Sequence, residues 1–203
     1  MVEPYELPEG WNWMELKELI RIESEQVLPW CAPDQFFNYL ALENVEQGTG
    51  RVINFSPTLG AEIKSNKFKF TSEHVLYGKL RPYLRKVVAP DFEGISATDL
   101  LPLRPIPDLL DRHFLVWWLL SPQVLEYVVT RQTGVKMPRL RTGDLEQMPV
   151  PLPPFAEQQR IVAKIEELFT QLDAGVAALE KAKAQLRRYR QAVRAAAGLM
   201  ARG

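Results

Sequence analysis

The sequence has few of the residues that crosslink a chain or bind a metal ion. Its 203 residues include one cysteine, Cys31, and two histidines, His74 and His113. A single cysteine allows no intrachain disulfide, which favours a reducing cytoplasm as the compartment. So few cysteines and histidines also argue against a structural zinc site, and no metal ion is expected.

Long apolar runs and phosphate-binding loops are missing as well. The longest strongly apolar run, FLVWWLL at 114–120, has seven residues, whereas a membrane-spanning helix needs about 20. No basic segment followed by an apolar stretch opens the chain, which argues against secretion. There is no G-x-G-x-x-G or similar loop, so no nucleotide or methyl-donor site, and no cofactor, is expected in this chain.

Charge is present in balance, but it is unevenly distributed. The 25 basic and 25 acidic residues cancel, yet residues 1–46 carry ten acids against two bases. Residues 64–90 carry seven bases against one acid, and residues 131–141 carry four bases and no acid. Two basic stretches in a neutral chain are typical of a local site for a polyanion.

The order of apolar segments predicts an α+β domain over residues 1–150. Between 36 and 103, short apolar and aromatic segments alternate with Gly, Pro, Asn and Asp, which predicts about seven short strands in a compact, curved, mostly antiparallel sheet. A short helix is predicted at 14–22, two further helices at 108–120 and 122–130, and a basic loop at 131–143.

A long helix is predicted after the domain, within residues 151–203. Prolines at 151, 153 and 154 precede it, and proline is tolerated in a first helical turn. From about 155 to 197, apolar side chains recur in alternating steps of four and three, the pattern of a coiled coil. Such a helix is roughly 65 Å long. It either pairs with another helix or packs on its own domain. The predicted dimerisation seam consists of Ile161, Ile165, Leu168, Leu172, Leu179, Leu186, Tyr189 and Val193.

The two basic stretches supply the candidate DNA-binding residues. In residues 77–86, cations alternate with aromatic and apolar residues, and a turn and strand there would project their cations together. Residues 131–141 form a predicted loop that Gly134 and Pro138 shape for close approach. Lysine and arginine bind phosphates, and arginine can also donate two hydrogen bonds to guanine. The candidates are Lys67, Lys69, Lys79, Arg81, Tyr83, Arg85, Lys86, Arg131, Lys136, Arg139 and Arg141.

One catalytic pattern is present in a permissive form. Asp34 after Pro33, followed by Glu62 and Lys64, fits the loose P-D…E-x-K spacing of metal-dependent nucleases. No other arrangement of acids, histidines or nucleophiles points to catalysis, so the chain is predicted not to be an enzyme.

Several stretches resemble the DNA specificity subunits of type I restriction–modification systems. The strongest is MPVPLPPFAEQQRIV at 148–162, which resembles the start of that family's spacer helix. LYGKLRPY at 76–83 and ISATDLL at 95–101 resemble parts of its target recognition domain, and LPEGW at 7–11 resembles the lead-in to that domain.

The resemblance implies a non-catalytic subunit that reads DNA for partner proteins. In that family, two recognition domains each read half of an interrupted site, and two long helices pair antiparallel. The partners are modification subunits, which hold S-adenosylmethionine and methylate adenine, and in some systems restriction subunits. This chain has one domain and one helix, so it is either a natural half-length subunit or a piece of a longer one.

A lone apolar seam predicts pairing with a second copy. We expect an antiparallel homodimer that places two recognition domains about a two-fold axis, and therefore a DNA target of two inverted half-sites. The alternatives are a stand-alone dimeric DNA-binding regulator, a metal-dependent nuclease using Asp34, Glu62 and Lys64, and a coiled-coil scaffold with basic surface patches.

Overall fold

The computed structural model describes residues 6–134 and 136–200, with side chains described as far as residue 191. The chain divides into two compact units, Met1–Arg160 and Ile161–Gly203. The first unit contains the strands and the short helices, and the second consists of the long helix beyond its first turn.

Short strands and short helices build the first unit. In the part of the chain that the structure describes, the strands are β1 (Asn12–Glu15), β2 (Ile20–Ile22), β3 (Gln26–Val27), β4 (Phe36–Phe37), β5 (Tyr39–Leu40), β6 (Thr58–Leu59), β7 (Lys67–Phe70), β8 (Val75–Gly78), β9 (Val87–Val88), β10 (Gly94–Ala97), β11 (Leu100–Pro105) and β12 (Pro149–Leu152). The α-helices are α1 (Leu16–Leu19), α2 (Arg112–Leu119), α3 (Pro122–Arg131), α4 (Thr142–Glu146) and α5 (Phe155–Met200). Single 3₁₀ turns lie at η1 (Pro29–Cys31), η2 (Leu42–Asn44), η3 (Gly60–Glu62) and η4 (Pro82–Leu84).

The predicted α+β class is confirmed, with the strands divided among several sheets. Two four-stranded sheets have the orders β3-β7-β10-β5 and β2-β11-β8-β9, and two further pairs are β1-β12 and β4-β6. Among the described strands, only β10 and β5 pair in parallel. Consecutive strands such as β7 and β8 lie in different sheets. The described strands between residues 36 and 105, predicted as one curved sheet, therefore belong to three sheets.

The hydrophobic core lies between the two four-stranded sheets. Leu40 and Phe70 come from one sheet, and Leu76, Val88 and Leu100 come from the other, and all five are buried in one cluster. Removing such side chains from water is the main favourable contribution to folding. This core fixes the position of the loops that leave β8 and β11.

The N-terminal segment pairs with a strand that precedes α5. A helix over 14–22 was expected, but the chain forms β1, the single turn α1 and then β2. Strand β1 is antiparallel to β12, with Trp13 opposite Pro151. The predicted boundary between domain and helix, at 150 and 151, therefore falls inside a strand of the first unit.

The helix α5 is attached to the domain through its first turn. Gln158 is fully buried. Its Oε1 accepts a hydrogen bond from the backbone N–H of Asp111 at 2.8 Å, and its Nε2 donates to the carbonyls of Leu109 and Pro153, each at 2.9 Å. One side chain thus satisfies three buried backbone groups.

Gln158→Ala is expected to lower the free energy of unfolding by about 3 kcal/mol, because each buried polar group left without a partner costs about 1–3 kcal/mol. Chemical denaturation followed by circular dichroism measures this. Gln159→Ala is the matched control, since Gln159 is exposed and its removal should change stability by less than about 0.5 kcal/mol. Equal effects of the two substitutions would contradict the anchoring role of Gln158.

Candidate nucleic-acid interface

The structure brings the two predicted basic stretches together. The backbone N–H of Arg81 donates to the carbonyl of Pro138 at 2.7 Å, and that of Leu140 donates to the carbonyl of Lys79 at 3.0 Å. Leu80 and Arg139 form the antiparallel bridge between these segments. Residues 79–81 and 138–140, which are far apart in sequence, therefore lie side by side.

The loop between β8 and η4 has an unusual backbone at two arginines. Arg81 has φ 49° and Arg85 has φ 46°, on either side of the 3₁₀ turn that begins at Pro82. Left-handed geometry costs an ordinary residue about 1–2 kcal/mol. Backbone hydrogen bonds support it here, because Arg81 donates to Pro138 and Arg85 donates to the carbonyl of Pro82.

The joined segments carry a group of cations and one aromatic ring, which we call the basic surface. In this group Lys79 is half-buried and the others are exposed. The basic surface consists of Lys79, Arg81, Tyr83, Lys136, Arg139 and Arg141.

Most cations of the basic surface are unengaged. The side chains of Lys79, Arg81, Lys136 and Arg141 make no hydrogen bond or ion pair with the residues that the structure describes. Arg139 differs, because its Nη2 lies 3.5 Å from Oδ1 of Asp99. The four side chains without such a contact are therefore available to bind an anion.

Arg131 lies where the basic loop begins, at the end of α3. Its guanidinium stacks over the ring of Tyr127, 3.9 Å from the ring centre, and its Nη1 donates to Oγ1 of Thr130 at 3.2 Å. Arg131 is exposed, but these contacts hold its cation against its own helix.

Three of the predicted DNA-binding residues have their cationic groups bound within the domain. Lys67 is buried, with its Nζ 2.9 Å from the carbonyl of Ser65 and 2.6 Å from the Ser65 hydroxyl. Burial also lowers the pKa of its ammonium group below the usual range. Arg85 donates to the carbonyl of Leu120 at 3.2 Å, and Lys86 donates to the carbonyl of Leu42 at 2.5 Å.

We correct the candidate set accordingly and leave these three cations out of the interface. A strand over 83–88 would have projected Arg85 outward with Arg81. Instead the 3₁₀ turn and the second left-handed residue direct Arg85 back against the domain. Lys69 is exposed, 3.7 Å from Glu25, on β7 in the other four-stranded sheet.

The residues of the nuclease pattern lie at the surface of the described structure. Asp34, Glu62 and Lys64 are all exposed, although a backbone hydrogen bond from Ala61 to Pro33 brings η3 beside the turn that precedes Asp34. Within the described part of the chain, no group of three or more His, Cys, Asp or Glu residues could hold a metal ion.

The predicted seam residues lie on α5, which we consider by itself. Leu168, Leu172, Leu179, Leu186 and Tyr189 are exposed, with Leu179 at 72%. Ile161 and Ile165 are partly buried, and the side chain of Val193 lies outside the described residues. Among the described residues, no helix is both long and apolar enough to cross a membrane.

Sequence reasoning missed the roles of two residues, Asp99 beside the basic surface and Gln158 at the start of α5. Asp99 was seen only within the motif at 95–101, and nothing in the sequence pairs it with Arg139. Gln158 was seen only within the motif at 148–162, and its buried hydrogen bonds depend on a loop about 50 residues earlier. Neither the ion pair of Asp99 nor the buried hydrogen bonds of Gln158 could be predicted without knowledge of the fold.

Comparison with known proteins gives consistent matches. A family model described as the type I restriction modification DNA specificity domain matches residues 8–186. The type I restriction enzyme EcoDI specificity subunit of Escherichia coli is 30% identical over 191 residues, which cover 94% of this chain and 42% of that protein. The EcoAI specificity subunit of the same organism is 24% identical and covers 84% of this chain and 30% of that protein.

Solved structures match the fold over a similar part of the chain. The HsdS subunit from Thermoanaerobacter tengcongensis has a TM-score of 0.74 and 28% identity, covering 84% of this chain and 45% of that one. A specificity subunit from M. genitalium, with a TM-score of 0.54 and 16% identity, shares the fold. This chain spans less than half the length of these relatives.

Proposed function

The chain belongs to the family of type I restriction–modification DNA specificity domains, and we propose that it reads one half of a bipartite DNA site without catalysing a reaction itself. In this proposal it guides adenine methyltransferase subunits, which hold S-adenosylmethionine, and in a restricting system the restriction subunits as well. The observation that carries the DNA-binding role is the basic surface, in which two distant basic stretches meet.

The chemistry of the basic surface suits double-stranded DNA. Arg81, Lys136 and Arg141 are exposed cations without side-chain partners in the described residues, and each can bind a phosphate with a charge-assisted hydrogen bond. Tyr83 adds an exposed hydroxyl and ring among them. Contacts of this kind fix the orientation of a protein on the duplex and supply most of its non-specific affinity.

We further propose that two chains pair through α5 as an antiparallel homodimer. The exposed leucines of the seam need a covering surface, and a second copy supplies one of the same pattern. Charge favours the antiparallel arrangement. Residues 157–180 carry five acids and two bases, a net charge of −3, whereas residues 181–190 carry five bases and no acid.

An antiparallel pair places each basic half beside an acidic half, whereas a parallel pair would place the two basic halves together. The dimer would also supply two recognition domains and two helices in total. This chain spans less than half the length of its relatives, so two copies together would be similar in length to one relative. Two-fold symmetry in the protein requires a DNA site of two inverted half-sites.

A map of adenine methylation in host DNA, with and without the gene, tests the proposal. We expect methylation to disappear at one interrupted motif with inverted halves when the gene is deleted. The control is re-expression of the gene, which should restore the same motif. Loss at an asymmetric motif would replace the homodimer with a pairing to a different recognition domain.

Unchanged methylation in a strain that expresses the modification subunit would contradict the proposed function. The remaining interpretation would then be a stand-alone regulator, which binds a discrete DNA site without any partner. Binding of the purified chain to host DNA fragments, followed by sequencing of the bound fraction, would identify such a site.

A further inference from the structure

Among the described cations of the basic surface, Arg139 is held through both its backbone and its side chain. The backbone N–H of Arg139 donates to the carbonyl of Thr133 at 2.8 Å, and the N–H of Thr133 donates to the carbonyl of Arg139 at 2.9 Å. On its other side Arg139 bridges to Leu80. The backbone of Arg139 is therefore fixed from both neighbouring segments.

The side chain of Arg139 is also positioned. Oδ1 of Asp99 lies 3.5 Å from its Nη2, and the two side chains are 28% and 54% exposed, respectively. Asp99 is fixed in turn, because its carbonyl accepts a hydrogen bond from the backbone N–H of Lys79 at 3.0 Å. Three segments of the domain thus meet at Arg139, two of them at its backbone and one at its guanidinium.

The carboxylate of Asp99 is unfavourable for phosphate binding. A negative charge among cations repels the DNA backbone, and an ion pair this exposed contributes little stability, about 0–1 kcal/mol. Its presence is explained if the guanidinium must have a defined orientation. A phosphate can be bound by a mobile cation, whereas recognition of a base edge requires donors held in a fixed geometry.

Arginine has the donors for such recognition. The guanidinium carries five N–H groups, so a contact between Nη2 and Asp99 leaves enough donors to bind a base. A paired donation to O6 and N7 of guanine in the major groove is the commonest specific arginine contact with DNA. Lysine in the same place would keep the charge and lose the paired geometry.

We propose that Arg139 reads a guanine in each half-site and that Asp99 is the residue that positions it. This inference rests on the proposed function and adds to it separate roles for different cations of the basic surface. Arg81, Lys136 and Arg141 contact phosphates, and the pair formed by Arg139 and Asp99 supplies sequence preference at one G·C base pair.

Selection of bound duplexes from a fully randomised DNA library, with the full-length chain, tests the inference. The wild-type protein is expected to enrich a motif with an invariant guanine in each half. Arg139→Lys should reduce the preference for that guanine by about 5- to 150-fold, the loss expected for one bidentate contact. Asp99→Ala removes only the positioning contact and should reduce the same preference by up to about 5-fold. Preference at the other positions of the motif should stay the same.

Arg21→Lys is the matched control, because Arg21 is exposed and lies outside the basic surface, and this substitution should leave the whole motif unchanged. Thermal unfolding checks that each variant is folded. If Asp99→Ala does not fold, Asp99→Asn and Arg139→Lys carry the test, since both preserve side-chain size.

The outcomes separate the inference from the function on which it rests. Failure of the wild-type protein to enrich any motif would contradict DNA recognition by this chain. An enriched motif that Asp99→Ala and Arg139→Lys leave intact, or weaken equally at all positions, would overturn the role of this pair while leaving the proposed function standing.

Discussion

If two chains pair through α5 as proposed, a chain with glutamate in place of Leu172 and Leu179 is expected to be monomeric at concentrations where the wild-type chain dimerises. Both leucines are exposed in the single chain, at 59% and 72%, and both lie in the middle of the seam. Burying a leucine contributes about 1.5–3 kcal/mol, and each substitution occurs twice in a dimer. We therefore expect the dimer dissociation constant to rise at least about 1000-fold.

Analytical ultracentrifugation over a range of concentrations measures this change. The matched control is Ala184→Glu, which adds the same charged side chain to an exposed position on the opposite face of α5. It should leave the dissociation constant within about threefold, because surface substitutions usually change free energies by about 0.5 kcal/mol or less. A dimer that tolerates Leu172→Glu with Leu179→Glu would show that another surface holds the two chains together.

The elements that could be predicted from the sequence are those whose signal is local or repeated many times. The helix α5 was predicted because its apolar side chains keep one period over many turns. Its start agrees with the expected bound, and its C-terminal end lies at residue 200 instead of about 197. By contrast, the segment at 14–22 has the composition of a short helix. Its strands form because residues 149–152 lie beside β1 and residues 103–105 lie beside β2, and such long-range pairings override local preference.

The candidate site was predicted in its parts but not in its arrangement. Charge patterning identified both basic stretches, and their meeting through Leu80 and Arg139 depends on the fold. The inward direction of Arg85 follows from left-handed backbone geometry at two arginines. Non-glycine residues adopt that geometry rarely, so the residue types in this loop do not predict it. Lys67 was misassigned because a lysine on a strand is usually exposed, whereas this one bonds to Ser65 at the strand's start.

Removal of two of the proposed phosphate contacts should weaken binding to every DNA sequence and flatten its salt dependence. We expect Arg81→Ala with Arg141→Ala to lower the affinity for duplex DNA at least about 100-fold at roughly 0.1 M salt. Each lost phosphate contact reduces the slope of log K against log salt by about one, so a dimer with two copies of each residue should lose about four. The ranking of sequences should not change.

Fluorescence anisotropy at several salt concentrations, with specific and unrelated duplexes, measures both quantities. The matched control is Arg21→Ala with Lys64→Ala, which removes the same charge from exposed positions outside the basic surface. Because long-range attraction depends on net charge and is screened within about 10 Å at 0.1 M salt, this control should lose less than about threefold in affinity. Equal losses in the two double variants would mean that overall charge, and not the basic surface, governs binding. An unchanged slope in Arg81→Ala with Arg141→Ala would place the phosphate contacts on another face of the domain.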